Sequence, residues 1–192
     1  MTYNRVLNID DYYRYNTCMK TEKIVIVGKS GSGKDHLLRG LIKKELKYQP
    51  KITTRPKRKL EKQGIEYSFL SNQNFNKMLE SNEIKVYQHF VIDNSDWYYS
   101  ISNQNFENNQ LFIMTPHEIS TLNKEDRKKC FVVYLDIDES IRRARITKRN
   151  DDNDSINRRM EADEADFKYF VDYDLKITDP DFETDMVYDL MN

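Results

Sequence analysis

The sequence predicts an α/β domain built on a mostly parallel, buried sheet, and three observations predict it. Short apolar, β-branched runs recur along the chain, as strands covered on both faces require. Between them lie stretches with apolar residues at helical spacing. The first run, Lys23–Val27, leads directly into a glycine-rich loop followed by an amphipathic segment. Strands alternating with helices point to parallel pairing.

The elements follow in order. Residues 1–20 are polar and tyrosine-rich and read as a flexible N-terminal extension, so that one domain spans 21–192. After the first strand, Leu37, Leu38, Leu41, Ile42 and Leu46 recur at helical spacing, and Pro50 lies just past them. Ser71 is placed to cap a helix carrying Phe75, Met78 and Leu79 on one face. Leu111–Met114 and Phe131–Leu135 are two further buried strands. An arginine-rich helix over 140–149 follows Asp138 or Glu139, and a second helix covers 155–169. Leu175–Ile177 is a final short strand and 181–191 a final helix.

Composition sets limits on function. The 192 residues suit one domain with a real core. Lys+Arg 31 against Asp+Glu 32 leaves no global electrostatic case for nucleic acid or membrane binding. No run has the roughly 18 apolar residues of a membrane span, and the N-terminus has no apolar signal core. Cys18 and Cys130 form no CxxC pair and read as free thiols of a reducing cytoplasm. His36, His89 and His117 lack metal-ligand spacing and read as surface or structural residues. The expected state is a cytoplasmic monomer or homodimer with small-molecule partners.

The loop carries the first chemistry. "GKSGSGKD", residues 28–35, has the GxxxxGK spacing of a phosphate-binding P-loop. Its glycines let successive backbone N–H groups point inward, and the following helix offers its positive end to phosphates. Gly28, Lys29, Ser30, Gly31, Ser32, Gly33, Lys34, Asp35 and His36 form the candidate ATP-binding set, with Lys34 a mobile charge for the β- and γ-phosphates. Asp35 stands where such loops carry the Ser or Thr that meets Mg²⁺. A carboxylate repels bare phosphate but attracts Mg²⁺, so Asp35 is the candidate metal ligand, direct or through water.

A second constellation lies downstream. "TTRPKRKLEKQGIEYSFLS", residues 53–71, holds Arg55, Arg58 and Tyr67, two guanidinium forks and a hydroxyl suited to a phosphate. The matches at Thr53, Thr54, Arg55, Arg58, Glu61, Gly64, Tyr67, Phe69 and Ser71 resemble the guanylate kinase family's TTR-x-x-R…E…G…Y-x-F…S stretch. "DWYYSIS" resembles its N-Y-Y-G stretch and "RITKRNDDNDSINRRM" its lid. The likeness covers about residues 22–190. It implies a P-loop NTPase-type three-layer domain with an acceptor-binding region over about 50–109 and a small helical lid over about 145–159. It further implies that Arg55, Arg58, Tyr67 and Tyr99 bind the acceptor phosphate. Arg145, Arg149 and Arg159 would be lid arginines that join Lys34 and Arg55 in catalysis.

The base-reading positions depart from the family. Family members read guanine with a Ser, an acidic residue and a strand Asp. Here Lys51 takes the first place, Val86 the second with Gln88 and His89 close by, and Thr115 the third. Loss of a carboxylate removes an acceptor for the guanine edge. The implied activity is transfer of the γ-phosphoryl of ATP to GMP, dGMP or another (deoxy)nucleoside monophosphate, with Mg²⁺. The alternative is a guanylate-kinase-like protein-binding module without catalysis. P-loops ending G-K-D resemble some phage deoxynucleoside monophosphate kinases, which admits a virus-encoded enzyme working in a host cytoplasm.

Overall fold

The computed structural model describes residues 21–149 and 156–190, with the backbone alone at Arg149. The expected extension with Cys18, and residues 150–155 of the expected lid, lie outside the described residues. Strands β1 (Lys23–Gly28), β6 (Leu111–Ile113), β7 (Cys130–Leu135) and β8 (Leu175–Ile177) form a fully parallel sheet in the order β6-β1-β7-β8. The expected α/β class with a parallel core sheet is therefore what the chain adopts.

All six residues of β1 are buried. Ile24 and Ile26 face one cluster with Leu37, Leu38 and Leu41 of helix α1 (Lys34–Lys43) and Val187 of the C-terminal helix at Thr184–Asp189. Val25 and Val27 face the other, with Val86, Ile101, Phe106, Phe112, Met114 and Ile119. Alternation along the strand thus feeds two cores, one on each side of the sheet.

The second core leans on a sheet that apolar runs alone do not reveal. Strands β2 (Ile52–Thr53), β3 (Ser68–Phe69), β4 (Ile84–Ile92) and β5 (Ser95–Ser102) assemble in the order β3-β2-β5-β4. The β4–β5 hairpin turns on Asp93 and Asn94, both left-handed at φ 50 and 59, the pattern of a two-residue primed turn. Ser71 does cap a helix, α2 (Asn72–Glu80), by accepting from the Asn74 N–H. Phe75 of α2 is fully buried and stacks on Tyr98 of β5 at 4.4 Å between centroids, which seats the helix on this sheet.

Several boundaries differ from the sequence expectation. Helix α1 ends at Lys43, and Glu45 takes φ 65, so Leu46 packs on the core from beyond the helix. Three short helices were not expected: α3 (Asn103–Asn108), α4 (Pro116–Thr121) and α5 (Lys124–Lys128). The last three helices are α6 (Glu139–Arg149), α7 (Ile156–Phe167) and α8 (Thr184–Asp189). Among the described residues no helix is long and apolar enough to cross a membrane.

Phe75→Ala is expected to cost about 3–5 kcal/mol in urea unfolding, because it removes a fully buried ring and leaves α2 unanchored. A loss below about 1 kcal/mol would show that α2 does not depend on that ring.

Candidate functional site

The loop at the C-terminal end of β1 curls through two left-handed glycines, Gly31 at φ 77 and Gly33 at φ 105. A Cβ on Gly31 would meet the Arg142 carbonyl oxygen at 2.6 Å, so the position requires glycine twice over. Gly33 is the N-cap of α1 and makes no side-chain cap, which leaves the first N–H groups of that helix aimed at the loop's interior. Lys34 Nζ folds back to donate to the carbonyls of Gly28 at 2.7 Å and Lys29 at 2.9 Å, within reach of the phosphate position its sequence predicts.

Helix α7 braces the loop from outside, through residues the sequence reading missed. The Ser30 N–H donates to Asp163 at 2.6 Å, and Lys29 pairs with Glu164 at 2.5 Å. Arg142 of α6, 1% exposed, lies between them, 3.3 Å from Glu164 and 3.8 Å from Asp163. The arginine-rich pattern of α6 concealed this one as a structural residue.

Arg145, expected as a lid arginine, lies against the phosphate loop. Its guanidinium donates to the carbonyls of Gly31 at 3.3 Å, Ser32 at 3.5 Å and Pro180 at 2.9 Å. These contacts brace the loop from the side of α6. Arg159 lies half-buried on α7, whereas the Arg149 side chain lies outside the described residues. His36 sits on α1 with its ring 5.7 Å from Phe182.

Asp35 is exposed in the first turn of α1. Its charge reaches two tyrosines: burial first and Asp35 second push the Tyr48 hydroxyl up to about 12, and Asp35 also helps raise Tyr67. The carboxylate is thus on the first turn after the loop and within electrostatic reach of Tyr48 and Tyr67. An exposed hard oxygen ligand beside a phosphate loop fits Mg²⁺. Among the described residues no cluster of three His, Cys, Asp or Glu could hold a metal alone, so the nucleotide's own oxygens would have to share the ion with Asp35.

The acceptor residues converge. Thr53 pairs with Tyr99 across β2–β5, and Gln88 pairs with Tyr99 across β4–β5. Arg55 is 4% exposed and lies 5.4 Å from the Tyr67 ring, which meets Tyr99 edge-on at 5.7 Å. Arg55 donates to Glu61 at 2.7 Å and to the Pro56 carbonyl at 2.8 Å, and the Arg58 N–H donates to the other Glu61 oxygen at 2.8 Å. Burial alone would weaken the Arg55 charge, but the Glu61 bond together with the charges of Tyr99, Glu61 and Tyr67 outweighs it and the pKa is raised. Burial works against Glu61 too, and its bonds to Arg55 and Arg58 outweigh it, so its pKa is lowered. Burial raises Tyr67 and Tyr99, keeping both hydroxyls protonated as donors.

The base-reading candidates form one cluster, with one exception. Val86 is 2% exposed and packs in the second core. Gln88, two residues on, lies on the same face of β4. Thr115 donates from Oγ1 to Gln88 Oε1 at 2.5 Å and accepts from the Glu118 N–H at 3.2 Å. Glu118 closes a capping box on the Thr115 N–H at 2.8 Å, and its other oxygen pairs with Lys51. Fully buried Glu118 was missed, although Thr115-x-x-Glu118 is a legible capping-box pattern.

Of the remaining singled-out residues, Cys130 is a buried free thiol whose pKa burial pushes up to about 11, hence chemically quiet. His89 pairs with Asp96 at 2.7 Å and stacks on Tyr98 at 4.5 Å, and His117 is exposed on α4.

Comparison with known proteins agrees with this geometry. The sequence model of the family described as guanylate kinase matches residues 20–190. A guanylate kinase of Malacoplasma penetrans is 28% identical over 173 residues, covering 84% of this chain and 87% of that protein. One of Photorhabdus laumondii is 28% identical over 175 residues, covering 83% and 81%. The crystal structure of guanylate kinase from Anaplasma phagocytophilum superposes with a TM-score of 0.64 at 17% identity, over 90% of this chain and 85% of that one, which is a likeness of fold.

The Glu61–Arg55 pair gives a pH test. Because folding lowers the Glu61 pKa, its contribution is full above the ordinary 4.5 and is lost as pH falls through the lower folded value. Glu61→Gln is expected to cost about 1–3 kcal/mol in urea unfolding at neutral pH. The gap to wild type should close as the pH drops below the folded value; a gap constant with pH would contradict the pairing.

Proposed function

The chain belongs to the guanylate kinase family, and from that premise we propose that it transfers the γ-phosphoryl group of Mg²⁺-bound ATP to a (deoxy)nucleoside monophosphate. One observation carries this reading: an intact phosphate loop, with Asp35 on the first turn after it, occurs together with a convergent Arg55–Tyr67–Tyr99 cluster whose Tyr67 feels the Asp35 charge. The relatives above carry the name guanylate kinase, which makes GMP and dGMP the reference acceptors.

The roles follow from charge and position. Loop N–H groups and the start of α1 bind the donor's phosphates, and Lys34 turns from the Gly28 and Lys29 carbonyls to join them. Arg55, Arg58, Tyr67 and Tyr99 fix the acceptor phosphate. One of its oxygens attacks the γ-phosphorus, the bond to the β,γ-bridging oxygen breaks, and ADP leaves. An acceptor phosphate is already nucleophilic, so positioning and charge neutralisation do the catalytic work. Asp35 would hold Mg²⁺, which supplies charge neutralisation on the phosphates when bound. Arg145 acts as a positioning residue that keeps the loop's shape, and Arg149 and Arg159 supply lid charge.

Purified protein with ATP, Mg²⁺ and a panel of nucleoside monophosphates is expected to release ADP. Lys34→Ala should lower kcat by about 10²–10³-fold. Asp35→Ser should raise the Mg²⁺ concentration needed for half-maximal rate by about ten- to a hundredfold. Unchanged Mg²⁺ dependence would remove Asp35 from the metal site. No ADP release with any acceptor, from folded protein that binds ATP, would overturn the kinase reading.

A further inference from the structure

A lysine stands on the same sheet face as the acceptor-phosphate residues, and the strand register fixes its place. Lys51 directly precedes β2, and its carbonyl accepts from the Ser68 N–H at 2.9 Å, which continues the β2–β3 ladder by one step. Thr53 pairs with Tyr99 and Ile52 with Ser100, so the same register brings Lys51 opposite Ile101. Alternation then puts Lys51 on the face that carries Thr53, Tyr99 and, across β4, Gln88. Arg55 follows four positions later. That interval is about 13 Å of extended chain, the scale of a nucleoside monophosphate from its phosphate to its base.

The Lys51 ammonium is held from behind. Its Nζ donates to one oxygen of Glu118, and the other Glu118 oxygen accepts from the Thr115 N–H at 2.8 Å. The Thr115 hydroxyl in turn is hydrogen-bonded to the Gln88 amide, which ties the pair to the face that carries Tyr99. Glu118 is fully buried, whereas the Lys51 side chain keeps 13% of its surface exposed. The carboxylate is thus the inner partner and the ammonium the outer one. An ammonium has three protons to give, and Glu118 is its one acceptor among the described residues. Both carboxylates of the acceptor site already take two donors: Glu118 from Lys51 and the Thr115 N–H, Glu61 from Arg55 and the Arg58 N–H.

Base chemistry says what such a donor reads. Guanine shows O6 and N7 as neighbouring acceptors, and lysine is a common partner for that pair. Adenine keeps N7 but carries an amino group in place of O6, whose N–H bonds oppose those of an ammonium. The N1–H and 2-amino group of guanine ask for acceptors instead, and neither carboxylate of the site stands unengaged to supply one. Hypoxanthine shares O6 and N7 with guanine and lacks only the 2-amino group. We propose that Lys51, steered by Glu118, is the specificity-determining residue of the acceptor site and reads the O6/N7 edge. The site then takes 6-keto purine monophosphates as a class, inosine alongside guanosine. This deepens the kinase reading and rests on it for turnover, but not for binding.

The test measures calorimetric binding and kcat/KM for GMP, IMP, AMP and the monophosphate of 2-aminopurine riboside, which keeps the 2-amino group and lacks O6. Wild type is expected to bind GMP and IMP within about fivefold of each other, and both at least about tenfold more tightly than the other two. Lys51→Met is made together with Glu118→Gln, so that no buried charge is left without its partner. In that double variant the preference for GMP and IMP over AMP should collapse to within about threefold, with an unfolding midpoint measured alongside. The Glu118→Gln single variant, which keeps Lys51, should weaken the same preference without abolishing it. IMP binding more than about fivefold weaker than GMP, a 2-aminopurine nucleotide binding as well as GMP, or a GMP-to-AMP ratio unmoved in the folded double variant would each overturn the proposal. Binding selective for GMP and IMP without any ADP release would uphold it and overturn the kinase reading instead.

Discussion

A strand buried at all six positions needs cover on both faces, and β1 gets it from two different sources. Helices α1 and α8 cover one face. The other is covered partly by Val86 and Ile101, which belong to the second sheet. The acceptor region is thus bound to the phosphate loop by the hydrophobic core itself, not by a separate hinge contact. Because β1 ends in the loop and β4–β5 carry Gln88 and Tyr99, burying Val25 and Val27 with Val86 and Ile101 ties the loop to the second sheet.

Charge within that cleft is arranged in pairs that orient before they bind. Glu61 holds Arg55 and the backbone at Arg58, so the guanidinium is in place without substrate. Asp163 and Glu164 hold the outer side of the loop through Ser30 and Lys29, with buried Arg142 joining them. Orientation of this kind reduces the reorganisation left for the reaction step. It is also how a chain near electrical neutrality can present a locally cationic site: the balancing carboxylates stand behind the arginines and the loop.

The core strands were legible because burial on both faces leaves an apolar, β-branched run with no polar face for solvent. The second sheet was not. Its long strands alternate aromatic and polar residues, as in "KVYQHFVI" and "SDWYYSIS", and one face remains partly exposed. The turn at Asp93-Asn94 was the available signal for its hairpin. Spacing identified the loop, Arg55, Tyr67 and Tyr99, since their order along the chain is itself the motif. Val86 and Gln88 lie two residues apart on one face of β4, so the sequence alternation does not separate them; the fold packs Val86 into the second core and pairs Gln88 with Tyr99.

By itself the sequence determined the parallel α/β core, the phosphate loop with its unusual Asp35, and the family to which the arginine–tyrosine set belongs. These rest on local patterns: periodicity, glycine spacing and short motifs. The tertiary structure alone decided that Arg142 is buried, that Arg145 lies against the loop, and that Thr115 bonds to Gln88 of a strand 27 residues away in sequence. Those are contacts between distant segments that only the folded chain brings together. No residue's identity states that in advance.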